Sequence, residues 1–323
     1  MPKRIRLILR LAISGGLLAF IFSSVPVSQL TPVLQGVRPW PFLAALALVP
    51  LMVYLAATQT KVLTDLQGLT LTVGQIFQVT FATAFYGILL PGAIVGGAIR
   101  WYKFSQQDRK PAQALAAIIF GRQVNTLVMA GAGLFCWVLD AGARQNMLYG
   151  VILGAVLLSL CGIHMLFFRQ RRAEQLIAML GRLSVIPEFI HLKLAKVLRA
   201  AAEFQGLPGF TVLTMTGVFA MYHLLGITSF YLLAQALPVD LSFSNVGWIR
   251  TYIFLLTALP ISILGLGVRE GALIFLLQIY GVPAAVAIAY SFLILARTLF
   301  TAAVGGAFEL VQFLKPPRAS RLP

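Results

Sequence analysis

The sequence predicts an all-α, polytopic transmembrane bundle with two re-entrant hairpins related as an inverted repeat. Three observations carry this prediction. Apolar runs reach membrane-spanning length, Lys and Arg are distributed unevenly between the links, and a Pro/Gly/Arg string occurs twice. Of 323 residues, 59% are hydrophobic and 11% are charged, against about 25% charged in soluble domains. A helix needs roughly 20 apolar residues to cross about 30 Å of hydrocarbon. The runs are continuous rather than alternating, which selects helices over a barrel.

The apolar segments fall near 7–25, 40–59, 75–100, 112–139, 147–168, 209–236, 247–281 and 284–314. The first follows a basic start (Lys3, Arg4, Arg6, Arg10) and has no small-x-small cleavage site, so it reads as a retained helix. Segment 75–100 is interrupted by Pro91, Gly92, Gly96 and Gly97. Segment 247–281 is interrupted by Pro260, Gly265 and Gly267, followed by Arg269, Glu270 and Gly271. Proline stops a helix and glycine loosens it.

The charges orient these segments. The N-terminal ten residues carry four Lys or Arg, 101–111 carries three (Lys103, Arg109, Lys110), 169–205 carries seven and the C-terminal tail three. Links 26–39, 140–146 and 237–246 carry one, one and none. Positive links stay cytoplasmic, so both termini are expected inside a plasma (inner) membrane. With Lys61 and Lys103 on the same side, 75–100 must enter and return on the cytoplasmic face. By the same reasoning 247–281 dips in from outside. The whole chain, 1–323, reads as one transmembrane domain. Within it, 169–205 is a basic connector with helical apolar spacing, expected on the cytoplasmic leaflet. The net charge of +16 is accounted for by topology and anionic lipid heads, so nucleic acid is not an expected partner.

The two interruptions match each other. Pro91, Gly96, Ala98 and Arg100 share their offsets with Pro260, Gly265, Gly267 and Arg269. Each hairpin precedes a helix with a mid-segment arginine, Arg122 or Arg297. Opposed copies of this kind form inverted repeats in transporters, with substrate bound where broken helices meet.

The chemistry rests on Arg100, Arg122, Arg269, Arg297 and Glu270. An arginine at mid-bilayer costs about 2.5–3.5 kcal/mol on insertion scales. Four of them against one carboxylate leave a surplus of three positive charges, which an anionic ligand would neutralise. The guanidinium fork suits phosphate, and helix N-termini after Gly92 or Gly267 offer free N–H groups. The expected ligand is therefore a lipid phosphate headgroup held between the hairpins, from a phospholipid or a polyprenyl phosphate. Gln123, Asn125, Tyr290 and Ser291 could add neutral hydrogen bonds. Glu270 either positions an arginine or carries a coupling proton, and adjacent positive charge favours the first. Glu309 is expected at the interface. His164, His191 and His223 show no ligand spacing and read as packing residues. Cys136 and Cys161 form no disulfide or metal pattern, so no metal or cofactor is expected. There is no Walker loop, and the Gly265–Gly271 string lacks the spacing and preceding strand of a dinucleotide site.

These strings carry a resemblance. Leu90-Pro91-Gly92 through Arg100, and Gly265-Leu-Gly267-Val-Arg269-Glu270-Gly271 after Pro260, resemble the two signature hairpins of the lysylphosphatidylglycerol synthase transmembrane region. This flippase-like domain also occurs as stand-alone membrane proteins. The second string is the more specific; Ala98 departs from the looser first pattern. The resemblance implies lipid translocation between leaflets. It also implies that the soluble aminoacyl-transferase region of two-domain members is missing from a chain ending at Pro323. The expectation is a transporter and not an enzyme. Its rivals are an intramembrane lipid-phosphate transferase, a non-transporting partner of a lipid- or glycan-biosynthesis enzyme, and an anion channel. A second copy of the chain is a further expected partner.

Overall fold

A computed structural model describes residues 27–89, 95–182, 187–258 and 265–314, with Gly15, Gly16, Ala19 and Ser23. The expected first crossing, 7–25, lies almost wholly outside the described residues, as do Pro91, Gly92 and Pro260. Every regular element among the described residues is helical.

Five helices are long and apolar enough to cross a membrane. They are α2 (Pro39–Leu66), α5 (Pro111–Leu139), α7 (Met147–Phe167), α10 (Gly209–Gln235) and α13 (Ala284–Leu314). Proline at the first position opens α2 and α5, where its missing N–H has no helical partner to lose. Asn146 caps α7 through the Leu148 amide, accepting one of the free N–H groups of the first turn. Short α1 (Val27–Gln35) precedes α2, and α6 (Ala141–Arg144) fills the link after α5.

The two interrupted segments each become a pair of short helices. The first is α3 (Val73–Leu89) and α4 (Val95–Asp108), and the second is α11 (Phe243–Ala258) and α12 (Val268–Leu277). At 1.5 Å per residue the longest of the four, α3, is about 25 Å and the shortest, α12, about 15 Å, both short of a bilayer core. α4 continues past Arg100 to Asp108 and α11 begins at Phe243, so both pairs extend beyond the segments predicted from hydropathy.

The packing exchanges the halves. α3 lies along α13, the long helix after the second pair, and α11 lies along α5, the long helix after the first. α2 and α10, which precede the two pairs, pack on each other. One core gathers Trp137, Tyr149, Trp248 and Tyr252 between α5, α7 and α11. Another stacks Phe120 on Phe204 at 4.2 Å between ring centroids and sets Phe168 edge-on to Phe120.

The basic connector forms α8 (Gln170–Gly181) and α9 (Glu188–Ala202), followed by a 3-10 turn at Glu203–Gly206. α9 buries Ala195, Ala200, Ala201 and Ala202, packing on α5 and α8. Phe189, Leu192 and Leu194 remain exposed beside Lys193 and Lys196. That apolar and basic surface suits a leaflet interface.

Candidate functional site

The first pair of short helices places Arg100 in a cavity of about 390 Å³ between α2, α3, α4, α5 and α10. Gly96, Gly97, Gln59, Arg122, Asn125 and Tyr222 share its lining. Arg100 donates from Nη2 to Thr80 Oγ1 at 2.8 Å and lies 6.0 Å from the Phe104 ring centroid. Its Nε is buried with no acceptor, and so is Nε2 of Gln59. Arg122, an exposed residue, shares the lining, and its guanidinium makes no hydrogen bond or ion pair with any described residue. The cavity therefore presents donors from Arg100, Gln59 and Arg122 that lack acceptors. Leaving Arg100 Nε or Gln59 Nε2 buried and unpaired costs about 1–3 kcal/mol, and more for the charged group; Arg122 itself is exposed.

The second pair is arranged differently. Gly265 and Gly267 turn the chain into α12 with φ of +75° and +81°, a backbone that residues with a Cβ rarely adopt. The Gly267 amide donates to Glu270 Oε2 at 2.6 Å, so the carboxylate caps the first turn of α12. Its other oxygen accepts from Arg269 Nη2 at 2.7 Å. Arg269 Nε donates to Ser291 Oγ at 2.6 Å, and that hydroxyl donates on to Glu270. Arg269 and Glu270 are thus a closed, buried, neutral unit that ties α12 to α13. Gly271 has open space at its Cβ position, so nothing around it requires glycine.

Arg297, on α13, donates from Nε to Ser229 at 2.9 Å and reaches the Met52 sulfur at 3.3 Å, a weak acceptor. It lies 5.8 Å from the centroid of Phe230. Arg250 on α11 lies 5.5 Å from the same ring and is 8% exposed. Its guanidinium makes no hydrogen bond or ion pair with any described residue. An arginine over a ring gains about 0.5–2 kcal/mol, while burying an uncompensated charge costs several. The aromatic contact alone does not offset the burial.

The acidic residues account for themselves. The sequence holds nine Asp and Glu, all described. Glu270 belongs to Arg269. Glu309 pairs with Lys103 and accepts from Tyr86 at 2.7 Å, so it clamps α4 and α3 to α13. Asp140 accepts from Tyr280, Asn245 and Trp248. Asp65, Glu174, Asp108 and Glu203 hold Lys61, Arg199, Thr70 and Gln67, and Glu188 and Asp240 are exposed. No side-chain carboxylate pairs with Arg100, Arg122, Arg250 or Arg297.

The neutral residues expected beside these arginines divide. Asn125 lines the cavity, Ser291 serves Arg269, and the Tyr290 hydroxyl donates to the Phe230 carbonyl at 2.8 Å. Gln123 turns away to the Leu160 carbonyl at 2.7 Å. His223 meets the Asn125 carbonyl at 2.9 Å, His191 that of Ile177 at 3.0 Å, and His164 packs against Phe120 and Phe168. No cluster of three or more His, Cys, Asp or Glu suited to a metal occurs among the described residues.

Sequence reasoning missed Arg250, Gln59 and Tyr222. Arg250 lies three residues inside the predicted start of its apolar segment, where an arginine reads as a flank. Starting α11 at Phe243 moves it two turns into the helix. Neutral polar residues such as Gln59 and Tyr222 leave no periodic signal; only the cavity they share reveals them.

Residues 7–306 match the family model described as the lysylphosphatidylglycerol synthase TM region. No curated protein gives a significant match to the chain.

Proposed function

This chain belongs to the lysylphosphatidylglycerol synthase TM region family, and from that premise we propose that it is a plasma (inner) membrane lipid transporter that holds the phosphate headgroup of an anionic lipid and moves it between leaflets. The carrying observation is a cavity lined by Arg100, Arg122 and Gln59 in which Arg100 Nε and Gln59 Nε2 are buried without an acceptor, while none of the nine carboxylates pairs with either arginine. A phosphate supplies the missing acceptors and charge, and the guanidinium fork gives it two parallel hydrogen bonds. A phospholipid and a polyprenyl phosphate offer the same group.

In this reading Arg100 and Arg122 bind the headgroup, and Arg269 with Glu270 fixes the arm of the second hairpin. Glu270 positions rather than shuttles a proton. The exchange of partners between the halves supports an inverted repeat. α2 with α10, α3 with α13 and α11 with α5 are the contacts that a two-fold axis relating 39–139 to 209–314 would produce. The short arms support re-entry, and the Lys/Arg asymmetry supports cytoplasmic termini.

The test uses purified full-length protein in vesicles of phosphatidylcholine with fluorescent phosphatidylglycerol, scoring the lipid that crosses leaflets. Wild type should accelerate crossing, and Arg100→Gln/Arg122→Gln should lose at least ten-fold of that rate. Equal rates in protein-free vesicles, or an unaffected double variant, contradict the proposal. Conversion of the lipid to a new product would replace it with a transferase.

A further inference from the structure

The arginines without counter-charge fall into two groups. Arg100 and Arg122 face the cavity; Arg250 and Arg297 flank Phe230 and do not line it. Tyr222 is among the residues that line the cavity.

We infer that Arg250 and Arg297 form a second, inner phosphate-binding site, outside the lining of the Arg100–Arg122 cavity. The inference builds on the proposed lipid transport by giving one phosphate two successive stations. Three observations carry it. Arg250 is more than nine-tenths buried, yet its guanidinium has no acceptor among the described residues. Arg297 spends its donors on one hydroxyl and one thioether, leaving Nη1 free. Gly226 makes room for the Arg250 fork: a Cβ there would stand 2.5 Å from Arg250 Nη2 and 2.9 Å from its Cζ. Two guanidinium groups against one ring repel each other unless an anion bridges them, and a tetrahedral phosphate offers oxygens to both forks. The ring of Phe230 is itself held, because Tyr290 hydrogen-bonds its carbonyl.

The site's ligand is a phosphate group, on a lipid or free. The test is a calorimetric titration of the purified full-length protein in neutral detergent. The probes are dihexanoyl-phosphatidylglycerol, dihexanoyl-phosphatidylcholine and inorganic phosphate. Wild type should take up two equivalents of the anionic lipid and none of the zwitterionic one. Arg250→Gln should retain one equivalent, and Arg100→Gln/Arg122→Gln the other. Gly226→Ala keeps every charge but displaces the Arg250 fork, and it should also lose the inner equivalent. Unfolding of Arg250→Gln without ligand should begin at the same temperature as wild type or higher, because an unpaired buried charge has been removed; a structural arginine would lower it. Saturation of the inner equivalent by inorganic phosphate, with the same dependence on Arg250, identifies the source as free phosphate. One equivalent in wild type, or two in Arg250→Gln, overturns the inner site. Two equivalents with no lipid crossing in vesicles would leave the inner site standing and remove the transport reading.

Discussion

The two pairs of short helices share a sequence pattern and differ in electrostatics. Each breaks an apolar segment at proline and glycine and places an arginine at the same offset, Arg100 in one and Arg269 in the other. The residue that follows decides their fates. After Arg269 comes Glu270, which caps α12, pairs with the arginine and closes the unit with Ser291. After Arg100 comes Trp101, whose indole donates to the Pro111 carbonyl at 2.8 Å and gives the arginine nothing. Equal offsets therefore carry neither the same helix start nor the same chemistry: α4 already begins at Val95, with Gly96 and Ala98 inside it, whereas Gly265 and Gly267 take positive φ and α12 begins at Val268. The pair carrying Arg269 is neutralised internally, and the pair carrying Arg100 has no carboxylate beside its arginine.

The comparison breaks most severely at Glu270. Glu270→Gln strips the buried Arg269 of its counter-charge, which costs about 3–5 kcal/mol when one member of a buried pair is removed. A thermal scan in detergent should show a large fall in unfolding temperature. Arg100→Gln should lower it little, since no pair is broken. Equal losses in both variants would erase the distinction between the hairpins.

A smaller effect is expected at the start of α11. Asp140 fixes Asn245 and Trp248 of α11 and Tyr280 beyond α12 to the end of α5. Burial alone would raise its pKa, but hydrogen bonds from Tyr280, Asn245, the Ala143 amide and Trp248 hold it below the usual value. A carboxyl depressed in the folded state stabilises fully above its unfolded pKa, near 3.9, and less as pH falls through the folded one. Asp140→Asn should cost about 1–3 kcal/mol at neutral pH and should flatten the loss of stability that wild type shows below about pH 4. The corresponding clamp of the first hairpin, Asp108 on Thr70, is exposed, and Asp108→Asn should cost less.

The comparison can also be sharpened by conversion. Trp101→Glu gives the first hairpin the acidic neighbour of the second. Anionic lipid binding should weaken about ten-fold, roughly 1.4 kcal/mol, as read by titration; undiminished binding would show that an adjacent carboxylate does not close the site. The smallest effect is expected at the Lys103–Glu309 pair. It is partly accessible, so Lys103→Gln should cost no more than about 1 kcal/mol in the same thermal scan.

Much of this was legible in the sequence. Run lengths predicted the five long helices, and Pro/Gly breaks predicted the two short pairs, because backbone chemistry is local. The arginines Arg100, Arg122, Arg269 and Arg297 stood out because charge in an apolar helix is expensive. Their grouping was not legible. Placing one headgroup between both hairpins treated Arg269 as available, whereas Ser291, 22 residues away on another helix, completes its neutral unit. Glu309, expected at the interface, is a clamp because α4 brings Lys103 to it from 206 residues away. Arg250 depended on where α11 begins, and hydropathy is least certain at segment ends.

The central claim is that Arg100 and Arg122 hold an anionic lipid. Native mass spectrometry of gently purified wild type beside Arg100→Gln/Arg122→Gln tests it most directly. A discrete anionic lipid retained by wild type and lost from the double variant is the predicted result. The same lipid population on both proteins would contradict it and leave the cavity arginines without a ligand.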